Sequence, residues 1–498
     1  MVAREGLPLS IPEPQRAAAD LLARLAGGEP VETPLSAVFV GDDAVWKLRK
    51  AVNLPFIDFT ALPERERAAR RELELNRAWA PGIYRDLAPV TATSDGGVEL
   101  GGSGEVVDYV VRMARIAHGD FLDVRAAGPG LSPELLDDLA DMVAAMHDGL
   151  APIADADPTA LIEVARGNLV TARRAGLPED RISAWEATVE HRLAELMPRL
   201  AERAAQGCVR RCHGDLHLAN LCLFDGKPTA FDALEFREDM ATIDTGYDLA
   251  FLLMDLDLKL GRWAANRVMN RYLARRPDIG MLAPMPVFLS LRALIRAHVC
   301  GNSGRDWRQY LDYAEAALAP PPPVGIGIGG LPGAGKSTIA RAIAPRIGAA
   351  PGAVILRSDE IRKRLAGLAP EQRLPESAYT RDAGEAVARA LLADFGHVLA
   401  CGHSAIADLT FLDPAQRRAA EAASGDVPFH GFWLTADIAV LRARIAGRHG
   451  DASDATVAVL EKMLSNYVPA EDWLKIDTDQ AAPAELVASN LRAHIPTC

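Results

Sequence analysis

The chain has 498 residues, enough for two or three domains with buried cores. Its formal net charge of −13 argues against a general nucleic-acid binder, because clustered Lys and Arg supply most of the affinity for phosphates. The sequence shows no apolar signal core and no uninterrupted apolar run of about 18 residues. We therefore expect a cytoplasmic protein without a membrane partner.

A short hairpin is the first element that carries a candidate functional residue. Residues 35–49 form two apolar strands around a turn at residues 41–43, and Lys47 lies on the second strand. Arg49 and Lys50 follow directly. The residues alone leave open which of these three cations acts at a functional site.

The next predicted element is a helix over residues 62–79. Glu72 shares one face of this helix with Leu75 and Trp79, whereas Glu74 falls on a different face. The periodicity therefore selects Glu72 as the carboxylate directed toward the rest of the fold. An apolar strand over Val106–Met113 is predicted further on, and residues 133–205 and 260–318 have helical periodicity.

A polar run from His213 to Asn220 carries Asp215 and Asn220 at a five-residue offset. Two apolar stretches then surround a turn at residues 225–226, which predicts a hairpin. That hairpin would bring Asn220 and Asp232 close together.

This spacing matches the protein-kinase catalytic loop H-R-D-x-x-x-x-N and its later metal-binding Asp. With Gly214 in place of Arg and His217 inside the loop, the segment resembles the aminoglycoside phosphotransferase branch of the kinase-like superfamily, whose members phosphorylate small molecules. The resemblance spans roughly residues 30 to 315. The chain lacks the G-x-G-x-x-G motif of protein kinases, as aminoglycoside-type phosphotransferases often do.

The resemblance implies a role for each matching residue. Asp215 would be the catalytic base, with Asn220 and Asp232 as magnesium ligands. Lys47 would bind the α- and β-phosphates of ATP, and Glu72 would be its carboxylate partner. Glu235, which follows the metal-binding Asp, is expected to line the acceptor pocket.

A second motif follows a short apolar strand at residues 324–329. The run Gly330-Leu-Pro-Gly-Ala-Gly-Lys336-Ser337 opens a helix, which is the context that a Walker A loop requires. Its glycines let backbone N–H groups turn toward phosphates, Lys336 reaches the β- and γ-phosphates, and the Ser337 hydroxyl binds magnesium. The predicted ATP-binding residues are Gly330, Gly333, Ala334, Gly335, Lys336, Ser337 and Thr338.

Residues 354–363 place an acid and two basic residues just after the second strand of this region, where open α/β sheets bind ligands. The segment resembles the small-substrate P-loop kinases, including gluconate kinase, zeta toxin and the kinase half of polynucleotide kinases. That resemblance implies that Asp359 is the catalytic base. A helix-capping role for Asp359 is the alternative.

Two later segments complete the resemblance. Residues 404–410 look like the strand that ends in D-x-T, with Asp408 as a Walker B-like magnesium residue. The segment with Arg444 and Arg448 resembles the arginine-bearing lid, in which Arg444 would bind ATP and Arg448 would neutralise charge during transfer. A solvated basic helix face is the alternative for both arginines.

The predicted organisation combines α+β and α/β folds. It comprises an N-terminal helical extension (1–29), a bilobal protein-kinase-like domain (30–318; small lobe 30–113, large lobe 114–318), a proline-rich linker (319–323), and a P-loop domain with a parallel sheet flanked by helices (324–498).

The sequence thus predicts a bifunctional kinase that uses ATP and Mg²⁺. Each domain would phosphorylate a hydroxyl of a small sugar-like or metabolite acceptor. One alternative is a nucleic-acid 5′-hydroxyl kinase, but the negative net charge of the chain argues against it. Another is a kinase whose second nucleotide-binding domain is regulatory.

Overall fold

The fold is described from a computed structural model of the chain. The described residues are 10–54, 57–447, 453–454, 456–465 and 470–494. They divide into two structural units. The first unit lies within residues 1–131, 146–152 and 210–243, and the second within residues 132–145, 153–209 and 244–498.

Helices account for much of the described chain. They are α1 (Arg16–Ala26), α2 (Leu62–Trp79), α3 (Leu122–Ala127), α4 (Pro133–Gly149), α5 (Ala160–Arg174), α6 (Glu179–Ala205), α7 (Glu238–Ala241), α8 (Thr245–Leu260), α9 (Arg262–Arg275), α10 (Met285–Asn302), α11 (Arg308–Leu318), α12 (Lys336–Ile343), α13 (Ser358–Leu365), α14 (Arg381–Ala400), α15 (Pro414–Ala423), α16 (Ile438–Ala446), α17 (Val457–Leu464) and α18 (Pro483–His494). The predicted helix at 62–79 and the helical segments at 133–205 and 260–318 are confirmed.

The strands are shorter. They are β1 (Val31–Glu32), β2 (Ser36–Val40), β3 (Ala44–Arg49), β4 (Asn53–Leu54), β5 (Ile57–Asp58), β6 (Tyr84–Ala92), β7 (Val98–Leu100), β8 (Val106–Ala114), β9 (Val209–Arg211), β10 (Leu221–Phe224), β11 (Lys227–Ala230), β12 (Thr242–Asp244), β13 (Gly325–Gly330), β14 (Val354–Arg357), β15 (Ala405–Asp408), β16 (Phe429–Thr435) and β17 (Leu474–Asp477). Both strands of the predicted hairpin, β2 and β3, are present.

The first unit is built on an antiparallel sheet. Over the described residues this sheet has six strands in the order β1-β2-β3-β8-β6-β7. Alternation along β3 sends Leu48 into a core with α1 and Val45 into a second core with α2. Lys47 is two residues from Val45, so the pleat places it on the α2 side of the sheet.

A two-residue turn closes the β10–β11 hairpin in the first unit, as predicted. Asp225 and Gly226 both have positive φ angles, of 49° and 76°. Such angles suit the tight turns whose twist matches that of the strands, and Asp and Gly adopt them at low cost. The hairpin register pairs Leu221 with Ala230, so the segments before and after it lie side by side.

The second unit contains a parallel sheet. Its described residues form five strands in the order β14-β15-β13-β16-β17. Helix α12 contributes Ile339 and Ile343 to the core beneath β13, and α18 contributes Val487 and Leu491. This is the predicted parallel sheet with flanking helices.

Helix α9 covers the edge of this sheet at β14. The Asn270 side chain accepts a hydrogen bond from the Ile355 N–H (2.7 Å) and donates to the Ala353 carbonyl (3.2 Å). Asn266 donates to the same carbonyl (3.0 Å). Two amide side chains thus satisfy backbone groups that an edge strand otherwise exposes.

His403 lies immediately before β15 and is fully buried. Among the described residues, neither of its ring nitrogens has a hydrogen-bond partner. Burial lowers the pKa of His403 to about 4, from an ordinary value of 6.5. The folded state therefore keeps the ring neutral over a pH range in which the unfolded chain protonates it.

We expect acid to destabilise the second unit through His403. As the pH falls from about 6.5 to 4, the unfolded state gains a proton that the folded state does not, so about 3 kcal/mol of stability is lost. Urea unfolding across this range should show a smaller loss for His403→Leu than for the wild type. The exposed His191→Leu is the control, and equal pH dependence in His403→Leu and wild type would contradict the expectation.

Candidate active sites

Strand β3 and helix α2 bring together a lysine and two carboxylates in the first unit. The Lys47 Nζ lies 2.7 Å from Glu72 Oε1 and 2.6 Å from Asp232 Oδ1. Glu72 is buried, whereas Glu74 is exposed and pairs with Arg71. Helix α2 thus buries the face that carries Glu72, as the periodicity predicted. The role of Lys47, Glu72 and Asp232 in ATP binding stays a prediction.

Arg49 and Lys50, the other two candidate cations, have different partners. The Arg49 Nη2 donates to Glu72 Oε2 at 2.7 Å and also to Glu235 Oε1. Lys50 pairs with Glu32 at 2.6 Å. Glu235 is buried against Arg49 rather than presented as the wall of an acceptor pocket, so that expectation is not supported.

The electrostatics of this cluster favour an added cation. Burial works against the charge on Lys47, but Asp232, Glu72 and Glu235 outweigh it and raise the Lys47 pKa. Burial also opposes the charge of Asp232, but Lys47 prevails and lowers its pKa. For Glu72, burial prevails and raises the pKa. The cluster has three carboxylates and two cations, with Arg49 as the second, so a divalent metal beside Asp232 fits its charge.

The loop from His213 to Asn220 is fixed by its own side chains. The Asn220 Nδ2 donates to the backbone carbonyl of Asp215 (2.9 Å) and to its Oδ2 (2.8 Å). A ring nitrogen of His213 lies 3.0 Å from the Phe231 carbonyl, which ties the loop to the segment that carries Asp232. Asp215 is about two-fifths exposed, so its carboxylate is accessible to an acceptor.

Gly214 explains why arginine is absent from this loop. Its φ is +83°, and a Cβ there would lie 3.1 Å from Leu234 Cβ and 3.2 Å from Ala241 Cβ. A side chain at this position would be strained by both conformation and space.

Two residues that the sequence reasoning missed hold Asp232 in place. Asp232 has a φ of 60°, an uncommon conformation for a residue other than glycine. Its N–H donates to Tyr84 Oη (3.1 Å), and the Ala233 N–H donates to Asn76 Oδ1 (2.9 Å). Asn76 is one turn after Glu72 on the same face of α2, and a buried amide on that face was the available signal.

We expect Arg49→Met to destabilise the first unit by about 3–5 kcal/mol, because Glu72 and Glu235 would lose a shared buried cation. Urea unfolding measures this loss. Arg71→Met is the matched control, since Arg71 forms exposed pairs with Glu74 and Glu238. Equal stabilities of the two variants would show that the Arg49 pairs contribute little.

The Walker A loop of the second unit joins β13 to α12. Gly330 and Gly333 have φ angles of +138° and +83°, and a Cβ at either would lie 2.6 Å or 2.8 Å from a backbone carbonyl. The Lys336 Nζ donates to the carbonyls of Gly330 (2.9 Å) and Leu331 (3.1 Å). The lysine therefore lies over the loop that the sequence assigned to phosphate.

The two predicted metal-binding residues of this unit, Ser337 and Asp408, lie in contact beside this loop. The Ser337 Oγ donates to Asp408 Oδ2 at 2.5 Å, because the parallel pairing of β13 and β15 ends both strands at the same edge of the sheet. A hydroxyl and a carboxylate in contact fit the oxygen preference of Mg²⁺. The strand predicted before Asp408 is present as β15.

Asp359 lies in the first turn of α13. The helix starts at Ser358 with Arg357 at its N-cap and without a capping side-chain hydrogen bond, so the alternative of Asp359 as the cap is wrong. Burial raises the pKa of Asp359, Arg357 opposes that rise, and Asp408 adds to it. A carboxylate with a raised pKa near the predicted metal-binding residues suits a general base.

The remaining predicted residues of this unit have separate places. Arg444 Nη1 donates to Thr478 Oγ1 (2.9 Å), and its Nη2 donates to the Thr478 carbonyl (3.0 Å). Ala334 is buried and Thr338 is exposed. Arg448 lies outside the described residues.

Comparisons with known proteins match two regions of the chain to families. The phosphotransferase enzyme family matches residues 37–284, and an AAA domain family, AAA_33, matches residues 326–470. Uncharacterized proteins of Mycobacterium tuberculosis and Mycobacterium bovis are each 29% identical over 489 residues, which covers 91% of this chain and 92% of theirs.

Solved structures match parts of the chain. A sugar kinase from Janibacter covers 34% of this chain and 93% of its own, at 20% identity and a TM-score of 0.27. A gluconokinase from Sinorhizobium meliloti covers 35% and 98%, at 20% identity and a TM-score of 0.24. An aminoglycoside phosphotransferase in complex with AMP-PNP and hygromycin B covers 61% and 98%, at 13% identity and a TM-score of 0.39.

Within the described part of the chain, no helix combines the length and apolarity needed to cross a bilayer. The two family matches coincide with the two sets of clustered residues and with the parallel sheet of the second unit. The chain therefore carries a phosphotransferase-family domain of the kinase-like fold followed by a P-loop kinase domain, and it is a kinase.

Proposed function

We propose that the chain is a bifunctional ATP-dependent kinase in which each domain phosphorylates a hydroxyl of a small-molecule acceptor. The observation that carries this proposal is the repetition of one set of chemical groups. Lys47, Asp215 and Asp232 supply a phosphate-binding cation, a base and a metal ligand in the first unit. The second unit repeats this set with a cation, Lys336, beside the phosphate loop and two carboxylates close to it.

In the first unit, Asp215 would accept the proton of the acceptor hydroxyl as the hydroxyl oxygen bonds to the γ-phosphorus of ATP. The bond from that phosphorus to the bridging oxygen would break in the same step, and ADP would leave. Lys47, oriented by Glu72, would hold the α- and β-phosphates of the nucleotide. Asn220 and Asp232 would hold Mg²⁺, which neutralises charge on the transferred phosphoryl group. Asn220 also fixes the Asp215 carboxylate through its amide.

In the second unit, Asp359 would accept the corresponding proton, and Ser337 and Asp408 would hold Mg²⁺. The backbone N–H groups of the Walker loop would surround the phosphates with Lys336 above them. Arg444 would bind ATP beside this loop, since its Nη1 donates to the Gly333 carbonyl at 3.5 Å. In both units, catalysis would come chiefly from orientation and electrostatic stabilisation.

A polar surface next to Asp359 is the proposed acceptor wall of the second unit. Arg362 follows Asp359 by three residues on α13, and its guanidinium lies 5.0 Å from the centre of the Tyr379 ring. The Tyr379 hydroxyl donates to Asp454 Oδ2 at 2.9 Å. Cationic, phenolic and carboxylate groups together suit a small hydrophilic acceptor rather than an apolar one.

The experiment that tests this proposal is a phosphate-transfer screen of the full chain with labelled ATP. The acceptors are sugars, polyols, aminoglycosides, nucleosides and 5′-hydroxyl oligonucleotides. We expect two small-molecule products, one for each site. Transfer to oligonucleotides with a steep salt dependence would instead favour a nucleic-acid kinase.

A further inference from the structure

A cavity of about 330 Å³ in the second unit belongs to neither proposed catalytic centre. It lies along the edge of the parallel sheet, where α9 and α4 face β14, α12 and α13. Its volume is within the range of sites that hold small metabolites. Its lining includes Trp263, Ile355 and Ala274, but most of the lining side chains are charged or amide groups.

The cavity lies on the opposite side of α13 from the proposed acceptor wall. Glu360 lines the cavity, whereas Asp359, one residue earlier, does not. Successive side chains of a helix point about 100° apart, so Asp359 and Glu360 project from different sides of α13. A ligand in the cavity would therefore be a neighbour of the catalytic centre rather than its acceptor.

Arginine is the main polar component of the cavity. Four arginines line it, against three carboxylates. Arg267 holds Asp137 through its Nε and Nη2 (2.8 and 2.6 Å). A guanidinium has five N–H donors, so an arginine oriented in this way keeps further donors for a ligand.

The other two carboxylates are also paired with arginines. Arg271 Nη2 lies 2.5 Å from Glu371 Oε1, and Arg357 Nη1 lies 2.9 Å from Glu360 Oε1. Arg341 is the fourth arginine of the lining, and two further carboxylates contact these arginines from behind, Asp141 at Arg271 and Asp408 at Arg357. The oriented guanidinium groups, each with five N–H donors, favour an anionic ligand that accepts several hydrogen bonds.

Arg357 connects the cavity with the catalytic centre. Its Nε lies 3.8 Å from Asp408 Oδ2, and Asp408 in turn accepts the hydrogen bond from Ser337. Arg357 is almost fully buried, so an anion that attracted its guanidinium would weaken a charge interaction at Asp408 with little compensation from water.

We propose that this cavity is an effector site for a small phosphorylated or carboxylated metabolite, which acts on the P-loop centre through Arg357. The binding part of the proposal is independent of the proposed function, and the kinetic part rests on it. Coupling through a side chain that contacts both sites is expected to change the rate of transfer at the P-loop centre by about fivefold or more.

Calorimetry on the full chain tests the binding part. The protein is saturated with AMP-PNP and Mg²⁺, so that the Walker loop does not compete for the probe. Pyrophosphate, glucose 6-phosphate and citrate are the probes, with glucose as the neutral control. We expect at least one anion to bind the wild type and glucose not to bind.

Two variants locate the binding. Ala274→Trp fills the cavity and Arg267→Gln removes one lining cation, so each should weaken anion binding at least about tenfold. Arg308→Gln, at an exposed arginine of α11, is the control and should bind like the wild type. Melting temperatures show whether each variant folds. If Ala274→Trp does not fold, Arg267→Gln alone tests whether the anion binds in the cavity.

Three outcomes would overturn the proposal. They are the absence of binding by every anion, equal binding by wild type and both cavity variants, and phosphorylation of a bound probe that depends on Lys336. The last result would make the cavity an acceptor pocket. If the anion binds the cavity but no transfer occurs at the P-loop centre under any condition, the proposed function fails while the binding site stands.

Discussion

Asp215→Asn is expected to abolish one of the two phosphorylated products, with a loss of about 10³-fold in kcat, while ATP binding to the same unit persists. A positioned general base contributes about 10²–10⁴-fold. The Asp215 carboxylate is held by Asn220 and is partly exposed, so it is oriented and still accessible to an acceptor. Nucleotide binding should survive because Lys47 and Glu72 are untouched.

The control for this variant is Asp225→Asn. Asp225 lies ten residues later in the turn of the β10–β11 hairpin, and asparagine accepts its positive φ of 49°. The same chemical change there should leave both products unchanged. Rates of each product are measured separately at saturating ATP, and retention of more than about a tenth of the activity in Asp215→Asn would remove Asp215 from the role of base.

The elements near the first site were predictable because their periodicities are strong. The helix at 62–79 and the selection of Glu72 over Glu74 follow from the 3.6-residue repeat, and the structure agrees. The hairpin after Asn220 follows from an Asp-Gly pair between apolar runs. These are local signals that a single sequence contains.

Long-range packing was not predictable in the same way. Tyr84 and Asn76 accept hydrogen bonds from the backbone at Asp232 and Ala233. These contacts join segments about 150 residues apart, and no local sequence pattern predicts them. Glu235 illustrates the converse. Its position three residues after Asp232 suggested that it lines the acceptor pocket, but its carboxylate pairs with Arg49. A carboxylate's partner depends on which strand folds against it.

The second site shows the same division. The Walker loop and its contact between Ser337 and Asp408 follow from motif and strand order. The coverage of the β14 edge by Asn266 and Asn270 could not be foreseen, because it needs the tertiary position of α9. For that reason the cavity beside β14 also had no signal in the sequence.

Lys336→Met is expected to abolish the other product, with a loss of about 10²–10³-fold in kcat, because a preorganised cation at the phosphates would be lost. Its matched control is Lys462→Met, at an exposed lysine of α17. Lys336 also donates to two loop carbonyls, so the variant could alter the loop itself. Asp359→Asn, which leaves the Lys336 contacts in place, is therefore assayed in parallel and should lose the same product.

The pattern across Asp215→Asn and Lys336→Met decides between two catalysts and one catalyst with a nucleotide sensor. Loss of a different product in each variant is the expected result, since we propose a separate cation, base and pair of metal ligands in each unit. A regulatory P-loop domain would instead lower the Asp215-dependent product in Lys336→Met and yield no product of its own. In that case Asp359→Asn should have no effect, because a sensor needs to bind the nucleotide but has no acceptor proton to remove.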